Sequence, residues 1–482
     1  MATLRLAVVG DVHGDWDSRR DGAAIATLGV DACLWVGDFG EERTDMVSSL
    51  VADGGSDGNG NGNHATPARI VLLGNHDAWY SLTTKGRRRA IERAAAEAAG
   101  LPTDKKNHRP QQRERRRAIE GEAAVAAELA EQAAASAEED EDPAELGPGA
   151  WAQLQALGEA HAGYRHWGAL GSLVSVVGAR PFSKGGTSIA DCERFYRSFY
   201  GVRTLEQSAS RILSAARGEG VAEGTAPARS LVLLAHNGPA GLGSEAHDPC
   251  GVDWLKNGTA GDHGDPDLRW ALDALHEGWE EVGGGEQQQK QERLLRRHVA
   301  LVVHGHMHHR LRAGGHRRMV HVDAERRTVI LNAATVPRVR WCDGGGSSSS
   351  GSGSEGEGSE GEGGKAATLR HFLVVELRGV EDQVDGFASA EVERAEDVWV
   401  RVEEEEGKEE GDDGGALPRA TVAERREVLR TARSAGEDGE GGVLKLAWDA
   451  ASGHWTQHVW RSGKAADGPV AAAAAAAAAA PT

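Results

Sequence analysis

Aspartate, asparagine and histidine stand in this chain where they could share divalent metal ions. Asp11 and His13 follow the apolar run Leu4–Gly10, and Asp38 follows Ala32–Gly37. Asn75, His76 and Asp77 follow Ile70–Gly74; His236 and Asn237 follow Leu231–Ala235; His304, His306 and His308 close the run that starts at Leu301. Carboxylate and amide oxygens mixed with imidazole nitrogens suit Mn, Fe or Zn, and the affinity order alone does not choose among them. A carboxylate can also span two cations roughly 3.5–4 Å apart, as an imidazole cannot. The set is rich enough to hold two ions.

The elements that must position these residues follow from the same runs. A short β-branched run that stops at a sharp turn reads as a buried strand. In open α/β sheets, sites form just beyond the carboxyl ends of such strands. The expected fold class is therefore α/β, a two-sheet sandwich with helices outside. Further strands are expected at Leu173–Val177, His371–Leu377 and Val398–Val402, with a hairpin of Leu444–Trp448 and Trp455–Trp460 around Asp449–Gly453. The late strands are expected to extend the second sheet, with a small separate β module as the alternative. A helix is expected around Val422–Ser434.

The ordered blocks D-x-H, G-D, G-N-H-D, H-N and G-H-x-H resemble the calcineurin-like metallophosphoesterase superfamily over about residues 3–340. Gly37–Gly40, Gly74–Tyr80, Gly178–Ser183, Ala235–Pro239 and Asn332–Pro337 narrow the likeness to a branch found in cyanobacteria, algae and plants. The resemblance implies the metallophosphoesterase sandwich and a two-metal hydrolysis of phosphomonoesters or phosphodiesters by a metal-activated water. It implies Asp11, His13 and His308 on one metal, Asn75, His236 and His306 on the other, and Asp38 on both. His76 would act on the leaving oxygen as general acid. Relatives orient this histidine with a carboxylate three residues after the bridging aspartate; Glu41 stands there, and Asp77 is the other candidate. The resemblance supplies no substrate.

Other residues are read more plainly. Arg180 could hold a substrate phosphate through its planar fork or form an internal ion pair. Asp253 and Trp254 could close as a lid or simply pack. His304 is expected in the core and His309 at the surface. Gly62-Asn63-His64 and Gly261-Asp262-His263-Gly264-Asp265 imitate the motifs without a strand before them, so neither is assigned to the site; His263, His276, His316 and His321 are given no role.

The net charge of −20 disfavours a nucleic-acid strand or an anionic membrane as partner. The expected substrate is a small phosphoester, with a protein partner allowed through the insertions. Four cysteines without C-x-x-C spacing fit a reducing compartment. No apolar run is long enough to cross a bilayer. A cytoplasmic location is expected, or a plastid if a targeting segment is missing from this chain. Organisation is expected as a core over 1–342 with a charged helical insertion at about 84–146. A flexible Gly/Ser/Glu linker at 343–364 follows, then strands over 365–462 with an acidic insertion at about 403–442, and an Ala-rich tail at 463–482. Loops are expected at 52–66 and 284–292. The competing reading is an inactive scaffold of the same fold. A nuclease would need a basic groove, for which only 85–117 offers material. A protein Ser/Thr phosphatase would need an arginine that is displaced in Gly37–Arg43.

Overall fold

The structure is a computed structural model, and it describes residues 2–52, 67–83, 86, 142–170, 173–219, 228, 230–254, 261–277, 297–323, 326–342, 367–381, 388–403, 418–430, 442–449 and 454–461. Most of the charged insertion, the 343–364 linker, the loop at 52–66 apart from Ala52, the loop at 284–292 and the alanine tail lie outside these residues. The fold is mixed α/β with two large sheets and several helices.

The first sheet contains β1 (Thr3–Val9), β2 (Ala32–Trp35) and β3 (Ala68–Val71), joined in parallel. The second contains β4 (His166–Leu170), β5 (Val174–Gly178), β6 (Ser230–Leu234), β7 (His298–His304), β8 (Val320–Asp323) and β9 (Thr328–Asn332), in the order β4-β5-β6-β7-β9-β8. Strands β5, β6, β7 and β9 run parallel. In β1, Leu4, Leu6 and Val8 join a buried cluster with Val232, Leu234, Leu301 and Val303 of the other sheet. The alternate residues Ala7 and Val9 cluster instead with Ala24, Ile25 and Leu28 of the helix Ser18–Leu28. Both faces are covered, which is why these strands read as continuous apolar runs and do not alternate. The helices have clear ends: Asp17 accepts from the Arg20 N–H at 2.9 Å, and Gly29 closes that helix at φ 59°.

The late strands correct two expectations. β10 (Val339–Cys342), β11 (Ala367–Glu381), β12 (Ala388–Glu403) and β13 (Arg419–Arg430) build the first sheet, not the second, because β11 pairs antiparallel with β1. The segment expected to be helical around Val422 is the strand β13: its hydrogen-bonding partner β12 outweighs the helix-forming Glu and Arg of the sequence. β14 (Gly442–Asp449) and β15 (His454–Arg461) pair as the expected hairpin. A buried ionic knot ties the late strands to the start of the chain. Asp21 accepts from Arg338 at 2.6 Å and from Arg370, while Arg338 also donates to the Asp15 carbonyl at 2.7 Å. That ties the loop after β1 and the helix behind it to two separate parts of the sequence.

Candidate metal centre

Asp11 and His13 follow β1, Asp38 follows β2, Asn75 follows β3, His236 follows β6, and His306 and His308 follow β7. Two glycines show how closely these loops converge. A Cβ on Gly74 would lie 2.4 Å from Asp38 Oδ1 and 2.5 Å from His236 Cε1; one on Gly305 would lie 2.1 Å from Asp11 Oδ1. Three of the non-glycine residues, His13, Asp38 and His306, take positive φ of 46°, 53° and 65°. Such backbone is unfavourable and collects where surrounding structure enforces it.

The side chains form two clusters, each offering ligand atoms within 4.8 Å of one another: Asp11, His13 and His308, and Asp38, His236 and His306. In the first, His13 Nε2 lies 3.0 Å from His308 Nε2, and His308 Nε2 lies 3.4 Å from Asp11 Oδ2. Asp11 Oδ1 accepts from the His306 N–H at 3.0 Å, whereas its buried Oδ2 has no hydrogen-bond partner among the described residues. Burial would raise the Asp11 carboxyl, but His308, His236 and His13 outweigh it and hold the group well below the usual carboxylate range. In the second cluster, His236 Nδ1 donates to the Val36 carbonyl at 2.6 Å. That directs Nε2 toward Asn75 Oδ1 at 2.9 Å and Asp38 Oδ1 at 3.3 Å. Burial opposes a charge on His236, yet Asp38 and Asp11 push its pKa up. Lone pairs facing one another at these distances require a cation or a proton between them. The two groups could each hold a metal ion, and Asn75 lies with the second. Asp38 joins the two: Oδ1 faces His236, and Oδ2 lies 4.0 Å from His13 Nε2.

Comparison with protein-family models, curated proteins and solved structures found no match. The centre therefore rests on its own residues. The structure brings together every residue assigned above to a metal, and it redistributes the rest.

His76 sits at this centre. Its ring is 5.2 Å from His13 edge-on and stacks on Trp79 at 5.7 Å, while its N–H donates to Asp38 Oδ1 at 2.8 Å. Neither expected carboxylate orients it. Glu41 accepts from the Tyr80 hydroxyl. Asp77 is buried and accepts from the N–H groups of Asp38, Phe39 and Gly74 at 2.8–2.9 Å. It clamps the loop after β2 to the loop after β3, so it acts on Asp38 and not on the histidine beside it. Burial, followed by the Asp38 charge, pushes the Asp77 carboxyl up to about 8.

Arg180 is the clearest correction. It is buried and donates to Asp267 at 2.9 Å and Asp265 at 2.8 Å, so its fork is taken by carboxylates and faces no open site. Ser183 adds a bond to Asp265 at 2.6 Å. Asp253 receives the Arg312 N–H at 3.1 Å, an anchoring contact. His309 is half-buried, accepting the Val336 N–H at 3.2 Å, and not a surface residue. His304 is fully buried, and burial pushes its pKa down to about 4.

His263 was left without a role above, yet its ring lies 6.1 Å from that of His306, nearly parallel at 24°. Trp254 meets it edge-on at 4.9 Å. No apolar run precedes it in the sequence; its signal there was the cluster of Asp, His and Gly itself.

Proposed function

We propose that this chain is a dinuclear-metal-dependent hydrolase of small phosphoesters. One observation carries the reading: Asp38 presents one oxygen to each of two Asp/His clusters, which suits a carboxylate shared by two cations. The order of the motifs, similar to that of the calcineurin-like metallophosphoesterases, agrees with it. Two bound divalent ions would supply Lewis acidity toward a phosphoryl oxygen and toward water. Asp11, His13 and His308 would hold one, Asn75, His236 and His306 the other, and Asp38 both.

The chain's own residues supply the rest. Asn75 contributes an uncharged oxygen, so two aspartates facing two dications leave the centre net positive and attractive to phosphate. The Val36 carbonyl fixes the His236 tautomer. Asp77 holds the backbone under Asp38, and Asn332 holds the loop after β7 by donating to the Met307 carbonyl at 2.7 Å. His76, half-exposed and backed by Trp79, would give a proton to a leaving oxygen. The excess of acidic residues over the chain disfavours long polyanions.

The test is a hydrolysis panel on protein reconstituted with Mn. It pairs an artificial phosphomonoester with an artificial phosphodiester, then adds single-stranded nucleic acid and a phosphopeptide. Turnover of a small ester that vanishes on chelation and returns with Mn is expected. Metal binding without turnover of any substrate would favour the scaffold reading; salt-sensitive cleavage of the strand alone would favour a nuclease.

A further inference from the structure

His263 is held in place as firmly as the residues already assigned to metals, but by groups that belong to none of them. Its N–H donates to the Cys250 carbonyl at 2.8 Å. Its carbonyl accepts from Asn237 Nδ2 at 2.7 Å and from the Gly186 N–H at 3.0 Å. Gly185 runs so close that a Cβ there would lie 2.3 Å from that carbonyl oxygen. Two and four residues on, the buried Asp265 and Asp267 are fastened by Arg180. All this fixes a half-exposed imidazole against His306, with Trp254 behind it.

The arrangement mirrors His76, which rests against His13 of the first cluster with Trp79 behind it. Phosphoryl transfer needs donors on the equatorial oxygens as well as at the leaving group. We propose that His263 is a second substrate-contacting residue, its half-exposed imidazole donating a hydrogen bond to a phosphoryl oxygen on the side of the second cluster. Arg180 is then a positioning residue: it reaches phosphate only through the segment it anchors. This inference rests on the hydrolase reading above.

The experiment compares His263→Ala, His263→Phe and His263→Gln in Mn-loaded protein. Four readouts are taken: metal content, melting temperature, kcat and KM on both artificial esters, and affinity for inorganic phosphate by calorimetry. Phenylalanine keeps the packing over His306 and against Trp254 but carries no N–H. Alanine and phenylalanine are expected to keep the metal and the fold while kcat/KM falls about 10–100-fold, the worth of a hydrogen bond to a charged group. Phosphate affinity should fall by a similar factor, and glutamine should recover part of both. Wild-type kcat/KM and phosphate affinity in the phenylalanine variant would overturn the proposal, since the ring would only pack. Loss of metal in all three variants would overturn it too, by making His263 a ligand. If the wild type turns over nothing, the hydrolase reading falls alone provided phosphate binding still depends on His263; phosphate affinity unchanged across the variants would sink both.

Discussion

The two clusters use nearly the same groups at different depths. In the first, the side chains of His13 and His308 are 26% and 42% exposed around a buried Asp11. In the second, His236 is 0% and Asp38 2% exposed. An ion in the first can meet water and chelators through its histidines. Of the second cluster's Asp38, His236 and His306, His306 alone is not buried, so an ion held there would meet water less readily. The difference teaches that two clusters built from nearly the same groups need not be equally open: one offers its histidines to water while the other keeps most of its side chains inside the fold.

The most damaging change to this comparison is Asp38→Asn, because that residue faces both clusters. Hydrolysis should vanish from detection, and elemental analysis should show metal lost from both positions; full metal retention would break the bridging assignment. His76→Ala should keep both ions and lose about 10²–10⁴-fold in rate on an ester with a poor leaving group. The loss should shrink with a good leaving group, and steady-state kinetics on the two esters decides it.

Exposure itself is tested by dialysis against a chelator. Metal should leave in two phases, with His13→Ala abolishing the fast phase and His236→Ala the slow one. A single phase in the wild type would erase the distinction between clusters.

A buried histidine outside the site sharpens the contrast from the other side. Burial pushes His161 down to about 3, so it is neutral in the fold. The unfolded chain takes up that proton below about pH 6.5, so the stability contribution is present above that pH and lost as pH falls toward 3. Between pH 6.5 and 5 the loss is about 2 kcal/mol for this group. Melting temperatures across that range should fall less steeply in His161→Gln, with metal content unchanged.

The smallest effect is expected at the linker. Cys342 pairs with Ala367 across β10 and β11, so the two ends of that segment are already neighbours. Replacing residues 343–366 by a six-residue Gly/Ser loop should leave turnover intact and stabilise by about 1 kcal/mol, since each halving of a loop recovers roughly 0.6 kcal/mol. A fall in melting temperature would show that the segment packs.

The metal-facing residues were legible because their signal is local. An apolar strand, a glycine and a ligand lie within a few positions, and the strand order of an α/β sheet brings such ends together. Arg180 was not legible, because its partners Asp265 and Asp267 lie 85 and 87 residues away. Asp77 misled for the opposite reason: it stands beside His76 in sequence, yet its oxygens turn to three backbone N–H groups. The strand β13 was hidden because a polar edge strand carries helix-forming residues, and only its neighbour decides its state.

By itself, then, the sequence determined which side chains could meet a metal, because runs of buried strand, tight turns and ligand types are written within a few residues of one another. Only the tertiary structure decided which sheet the late strands join, that one cluster is more open than the other, and that His263 lies over His306. Those outcomes depend on contacts between segments far apart in the chain, where packing and hydrogen bonding choose among partners that local propensity leaves equal.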